Sequence, residues 1–277
     1  MKTIKTIKFL GLIVSLLLFF SPGSIVSQDA PEKMYVEIGC LKSKSDNLEA
    51  FIKDKGMAFN REAQAKGMLL DFIVLKVIYP NGEDCKCDYR MVSVYNDMKQ
   101  LDMFMKPNIG YEIATKAFGG QEQAQAAWEE WQGVGVDKGS ELFELEMSAM
   151  PGPSGSDMSI ANFVNVKPGM EMEYEKMERE VWMPVVKEAI KAGMLNDMTI
   201  WSRVMPAGEH LDGDYIQVID INNFAQMGSW EWEEFGKIFQ KVHPGVDMME
   251  MVKKSNALST LGHNETVQVV ARLSDPN

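Results

Sequence analysis

Two pairs of side chains are spaced for chemistry. Trp201 with Arg203, and Tyr215 with Gln217, each stand two residues apart on a segment that reads as a β-strand. Side chains alternate across a strand, so the members of each pair share a face and could line a polar pocket for a small molecule. The same guanidinium could instead be a satisfied charge, paired with Asp220 or Glu175. Cys85-Lys86-Cys87 invites a metal or redox reading, but a zinc site needs about four ligands and no histidine lies near this segment in sequence. One bridge from Cys40 to either Cys85 or Cys87 would leave a third thiol free. Asp247-Met-Met-Glu-Met251 concentrates thioethers, which suits copper, whereas methionines elsewhere fall at core-like positions as flexible gap fillers. No nucleophile–base arrangement or carboxylate pair stands out, so no metal, no cofactor and no particular reaction is specified.

The elements that must position these residues are legible because the chain repeats itself. At an offset of 126 residues, Gly67, Met68, Leu69, Asp71, Pro80, Gly82, Glu83, Asp88, Tyr89, Val92, Asn96 and Gln100 meet the same residue types at Gly193, Met194, Leu195, Asp197, Pro206, Gly208, Glu209, Asp214, Tyr215, Val218, Asn222 and Gln226. Glu49, Met57 and Glu62 meet Glu175, Met183 and Glu188 in the same register. Self-similarity at a fixed period predicts one structural unit used twice. In the second half, strand pattern from Ser159 to Lys167 gives way to helical spacing from Met170 to Ala192, closed by Gly193. Strands follow over Met198 to Met205 and Asp214 to Ile221, then a helix carrying Trp230, Phe235, Ile238, Phe239 and Val242, a loop around Lys253 to Asn264, and a strand from Thr266 to Leu273. The first half reads the same way: strand Lys33 to Leu41, helix Asp46 to Lys66, strands Leu70 to Tyr79 and Asp88 to Tyr95, a helical region, and strand Ser140 to Met147. Trp128-Glu-Glu-Trp131 echoes Trp232-Glu-Glu-Phe235 at a shorter offset, which places an insertion around Lys106 to Ala127 and reads both Trp128 and Trp232 as core aromatics.

The order β-α-β-β-α-β is the ferredoxin-like split βαβ motif, whose sheet has both helices on one face. The bare face must be buried, and a second copy in the same chain is at hand to bury it. The expected fold class is therefore α+β, with two tandem βαββαβ repeats, residues 28–149 and 158–277, joined by a Pro/Gly/Ser linker at 150–157. Lys2, Lys5 and Lys8 precede the apolar run from Phe9 to Phe20 and small residues near Ser27, the pattern of a signal peptide over residues 1–27. That implies a periplasmic or secreted protein, with no membrane partner after cleavage. A net charge of -12, from 40 acids and 28 bases, excludes a phosphate-backbone binder and hence nucleic acid as a partner. A small-molecule ligand and a homo-oligomer stay open.

The long first helix, Gly193-Met194 leading into the strand of Trp201 and Arg203, and Gly213-Asp214-Tyr215 opening the next, resemble the dimeric α+β barrel superfamily. Its small members include antibiotic-biosynthesis monooxygenases and NIPSNAP-like proteins, and the likeness covers both halves. The resemblance implies small-molecule chemistry: cofactor-free oxygenation, or haem binding and breakdown. For the haem branch it points to Asn162 or Asn165, Trp201 and His243, although Pro244-Gly245 puts that histidine in a loop. Two function classes follow: a ligand-binding module without assigned catalysis, or a small oxidoreductase of the monooxygenase type.

Overall fold

The computed structural model describes residues 33–80, 85–152, 155–206 and 213–274. The predicted signal segment, the repeat pairs at Gly82, Glu83, Gly208 and Glu209, and Pro153 and Ser154 of the linker lie outside the described residues.

Eight strands form one closed antiparallel barrel in the order β1-β3-β2-β8-β5-β7-β6-β4. They are β1 Tyr35–Ser43, β2 Asp71–Tyr79, β3 Tyr89–Tyr95, β4 Gly135–Ser148, β5 Met158–Val166, β6 Asp197–Met205, β7 Tyr215–Ile221 and β8 Ser259–Arg272. Within β1 to β4 the spatial order is β4-β1-β3-β2, and β5 to β8 give the corresponding β8-β5-β7-β6, the arrangement of a ferredoxin-like α+β sheet. The two arcs join where β2 pairs with β8 and β4 with β6. The last strand of each arc starts earlier than the sequence pattern suggests, β4 at Gly135 rather than Ser140 and β8 at Ser259 rather than Thr266. The segment expected to loop at Lys253 to Asn264 is instead a helix followed directly by this strand, because ladder pairing to β5 reaches back to Ser259.

Helix α1 runs over 48–65, as Leu48–Phe51 and Met57–Ala65 flanking a π-helical turn at Ile52–Gly56. Helix α5, over 171–191, has the same construction: Glu171–Met177, a π-turn at Glu178–Trp182, then Met183–Lys191. Both end alike, with Gly67 (φ 71°) and Gly193 (φ 75°) in the left-handed region that glycine enters without steric cost. The next amide in each, Met68 or Met194, reaches back to the carbonyl of Ala63 or Ala189. Between β3 and β4 lie α2 Met98–Phe104, α3 Ile109–Phe118 and α4 Gln121–Val134. Between β7 and β8 lie α6 Phe224–Gly228, α7 Trp232–Val242 and α8 Met248–Leu258. Further contacts recur at 126-residue spacing: Gln100 Nε2 donates to Gly67 O as Gln226 does to Gly193 O, and the Tyr89 and Tyr215 hydroxyls reach Glu49 and Glu175.

The strands bury both faces. Helix residues pack on the outer face in two clusters, one around Leu41, Leu48, Ile52 and Phe72, the other around Val164, Tyr174, Val186 and Ile200. The lumen is filled by strand residues alone, among them Val36, Phe143, Phe163 and Ile216 with Trp201 against them, which is the expected outcome for eight strands, whose interior is just wide enough for side chains. Trp128 and Trp232 are not core: they are 57% and 72% exposed. On α4 the buried line is Ala124, Ala127 and Val134, with Trp131 packed beside it, so the neighbour of Ala127 turns away to solvent. On α7 the inward positions are Phe235, Ile238 and Phe239, leaving Trp232 at the exposed first turn.

One ion pair crosses the lumen. Arg90 on β3 grips Glu265 on β8 through two hydrogen bonds, Nε–Oε2 at 2.9 Å and Nη2–Oε1 at 2.6 Å, with both side chains buried. Phe163 lies beneath them, its ring 5.3 Å from the guanidinium carbon and stacked at 4.3 Å on His263, whose Nε2 is 3.6 Å from Glu265. Burial works against ionisation of Glu265, but the hydrogen bonds from His263 and Arg90 outweigh it and hold its carboxyl at about 2. Replacing Arg90 by Met should therefore lower stability by roughly 3–5 kcal/mol, because it strands a buried carboxylate. The double replacement of Arg90 and Glu265 by Met should recover most of that loss, and urea midpoints of the three proteins measure it.

Candidate functional site

The strand alternation that pairs Trp201 with Arg203, and Tyr215 with Gln217, sends the two pairs to opposite sides of the sheet. Trp201 and Arg203 face the lumen, Tyr215 and Gln217 the helix layer. In the lumen Trp201 packs against the apolar filling and donates from Nε1 to Thr199 Oγ1 at 2.7 Å. Arg203 bonds Asp214 at 3.1 Å and lies 3.6 Å from Glu141, rather than reaching Asp220 or Glu175. The ladder explains the choice: Arg203 stands opposite Phe143 and beside Asp214, whose carbonyl accepts the Arg203 amide. Asp220 sits at the other end of β7, accepting from Ser159, and Glu175 is on the far face, held by Tyr215. Gly213 is required here, since a Cβ on it would stand 2.7 Å from the Val164 nitrogen.

Of the two asparagines, Asn162 is half-buried on β5 directly across the ladder from Gln217, on the helix-facing side. Asn165 is exposed near the end of the same strand. His243 is not a free loop residue. It caps α7, is half-buried against Phe239, and its Nε2 lies 2.9 Å from the Val181 carbonyl. That carbonyl belongs to the π-turn of α5, where the widened helical turn leaves backbone groups to be satisfied from outside. In α1 the equivalent turn is served by Asn60, which donates to Gly56 O. With the other described histidine stacked on Phe163 and bonded toward Glu265, neither offers an uncommitted Nε2 to haem iron, and the haem set implied by the resemblance does not fit.

What gathers around Gln217 is a buried polar group that the sequence reading missed. Gln217 Nε2 donates to Tyr174 OH at 3.0 Å and to Glu178 Oε1 at 3.1 Å. Tyr215, its ring 4.8 Å from that of Tyr174, donates to Glu175 Oε1 at 2.8 Å. Tyr174 is 1% exposed and Glu178, the first residue of the π-turn, 5%. Burial pushes the Glu178 carboxyl up to about 7, against the opposing hydrogen bond from Gln217. Burial likewise raises both tyrosine hydroxyls, Tyr174 with the charge of Glu178 and Tyr215 with its bond to Glu175, so both stay protonated, Tyr215 as the donor to Glu175 and Tyr174 as the acceptor from Gln217. The signal was present in the 126-residue register: Tyr174, Glu178 and Gln217 align with Leu48, Ile52 and Met91, three apolar residues packed in the first core. Shared positions such as Tyr89 and Tyr215 mark common architecture, whereas positions that turn from apolar to polar mark what is particular to one half.

No family model matches the chain, and no curated protein matches it. Solved structures similar to it include a protein assigned as a monooxygenase from Fusobacterium nucleatum, at 9% identity over 87% of this chain and 93% of that one, with a TM-score of 0.48. An anthrone oxidase-like protein shares 10% identity over 88% and 94%, with a TM-score of 0.46. A chlorite dismutase from Candidatus Nitrospira defluvii shares 12% identity over 86% and 91%, with a TM-score of 0.44. Likeness at this level says nothing about activity, and the site stands on the chain's own geometry.

The raised carboxyl makes a pH prediction. Between pH 4.5 and 7 the unfolded chain releases the Glu178 proton while the folded chain keeps it, so stability falls as pH rises through this window. At 1.36 kcal/mol per unit, the loss attributable to Glu178 should reach about 3 kcal/mol by pH 8. Glu265 and Glu49, held near 2, titrate below this window and do not obscure it. A Glu178→Met variant should be more stable than the parent at pH 8 and nearly equal to it at pH 4.5, as measured by urea denaturation at each pH.

Proposed function

We propose that this protein is exported and binds a small molecule between the helix layer and the sheet of its second half, where Glu178 exchanges a proton with it. The observation that carries the reading is the buried group Tyr174, Glu178 and Gln217 at positions where the first half packs Leu48, Ile52 and Met91. Burying a carboxyl with few partners is costly, and the first half builds the same layer without one. A cost kept in one half and absent from the other is the mark of a working site rather than of a structural need. Its chemistry fits a phenolic or enolic ligand: two aromatic rings to pack on, an amide to orient it, and a carboxyl near neutrality to take its proton. Within the oxidoreductase class, this favours the cofactor-free monooxygenase type over the haem-dependent one, since removing that proton gives the electron-rich anion that oxygen attacks.

A ligand would enter by displacing α7 and α8 from α5. They hold the π-turn through side-chain contacts, His243 to the Val181 carbonyl, Trp182 Nε1 to Ser255 Oγ at 2.8 Å and the Trp182 ring 5.7 Å from that of Phe239, with Lys241 paired to Glu188 further along α5. We further propose that the two βαββαβ units are copies of one ancestor; twelve identities over residues 67–100, and hydrogen bonds recurring at the same offset, support this. The N-terminal lysines and apolar run support export to the periplasm or beyond, as does the bridge between Cys40 and Cys87, a bond at home in oxidising compartments.

The test is a panel of phenols, quinols and enolic acids against the purified protein, followed by calorimetry and by oxygen consumption in air. Binding should weaken at least ~10-fold in Glu178→Gln and in Gln217→Met, the loss of about 1.4 kcal/mol that one charge-assisted hydrogen bond represents. Binding that both variants leave untouched would remove Glu178 from the site.

A further inference from the structure

Beside β1 the described residues form a cleft of about 320 Å³, lined by Glu49, Lys76, Cys85, Cys87, Asp88 and Tyr89 among others. It lies on the first half, away from Glu178, and it holds an unusual set of sulfurs. Cys40 and Cys87 are bridged, and Cys85 is a free, half-buried thiol two residues from that bridge. Cys40 is fixed within the β1 ladder, with its Sγ 3.5 Å from the carbonyl of Lys86, the residue between the two loop cysteines. Asp88 is pinned by backbone bonds to Leu41 and Val77 and by Lys42. Among the described residues, Cys85 is held by its thiol to Pro80 O and by Lys42 Nζ to its carbonyl.

We propose that Cys85 and Cys87 are alternative partners of Cys40, and that the chain carries an intramolecular thiol–disulfide exchange that re-forms one wall of this cleft. Cys85 gives its proton to solvent, and its thiolate attacks Cys40 Sγ. A Cys40–Cys85 bond forms as the Cys40–Cys87 bond breaks, and Cys87 leaves as a thiolate that takes up a proton. One disulfide is exchanged for another, so no external oxidant or reductant enters. Cys40 is the sulfur attacked because a Cys85–Cys87 bond would close a strained ring across a single residue, whereas Cys40 faces the middle of the segment. The Lys42 ammonium, 2.9 Å from both the Cys85 carbonyl and Asp88, supplies positive charge at the loop where the thiolates form. In the exchanged form the Cys85 thiol leaves Pro80 O for Cys40, and Cys87 becomes the free thiol.

Lys86 makes the two forms separable, since trypsin cleaves after it and parts Cys85 from Cys87. The full chain, held in glutathione buffers from pH 7 to 9, quenched with an alkylating agent and digested, should yield Cys40 joined to the Cys87 peptide and also to the Cys85 peptide. The second species should form faster at higher pH, where thiol–disulfide exchange is quicker, and vanish in Cys85→Ser. Cys87→Ser should bridge Cys40 to Cys85 and show no free thiol once unfolded. Detection of the Cys40–Cys87 pairing alone at every pH overturns the proposal, as does a Cys87→Ser protein that folds with both remaining thiols free. Should that variant not fold, the peptide map of the unaltered chain still decides.

Discussion

The constraint on which the rest depends is that the sheet closes on itself. Once β2 pairs with β8 and β4 with β6, each strand is covered outside by helices and inside by the strands opposite. An eight-stranded barrel leaves no room for solvent at its centre, so every polar side chain on an inward position must find a partner within the protein. Arg90 and Glu265 solve this as a pair with two hydrogen bonds, and the bond spans from β3 to β8. Such a pair adds little to net stability, because desolvation offsets the attraction, but it penalises any arrangement of the strands that separates the partners. It therefore acts on register: a slip between the arcs would bury two unpaired charges.

Closure also decides where chemistry is available. The lumen is occupied by Phe143, Phe163, Ile216 and Trp201, and its polar members are already matched to one another. The layer between sheet and helices is different, because helices can move on a barrel without opening it. Helix α5 is joined to α7 and α8 by side-chain contacts, the hydrogen bonds of His243 and Ser255, the Lys241–Glu188 ion pair and the packing of Trp182 on Phe239, with no ladder of backbone bonds between them. A buried carboxyl near neutrality in that layer sits where a modest displacement would expose it, whereas the same group in the lumen could be reached only by breaking the barrel.

The sequence displays this division unevenly. Strand order and both long helices are readable because each half corrects the other: Gly67 and Gly193, or Tyr89 and Tyr215, are hard to misplace when they recur in register. The start of β8 is not, because Ser259 to Asn264 is polar and only its pairing with β5 makes it strand. Trp201 and Arg203 share a face by strand alternation, yet alternation cannot say which face looks inward, and here that face is the lumen. Arg203 took Asp214 because the partner is set by adjacency across the β6–β7 ladder, which spacing along the chain does not reveal. Glu178 escaped notice for an opposite reason. A glutamate in a helix rich in acids reads as surface, and only its place four residues after Tyr174, on the face turned to the sheet, carries it under the layer.

The polar group in the second half works only as a set. Placing Glu178 alone among the residues of the first core, Ile52's neighbours Leu48 and Met91, would leave its carboxyl with no donor, at a cost of several kcal/mol. Gln217 supplies that donor and Tyr174 accepts the amide's other proton, so each member satisfies the next. The satisfaction is incomplete where it matters: an amide is a weaker partner than the His263 imidazole and Arg90 guanidinium that hold Glu265 near 2, and the Glu178 carboxyl remains at about 7. The two buried glutamates of this barrel thus divide by their partners. One is fixed in charge by an arginine and organises the strands; the other, given only an amide, is left able to gain or lose a proton under conditions in which the protein is folded.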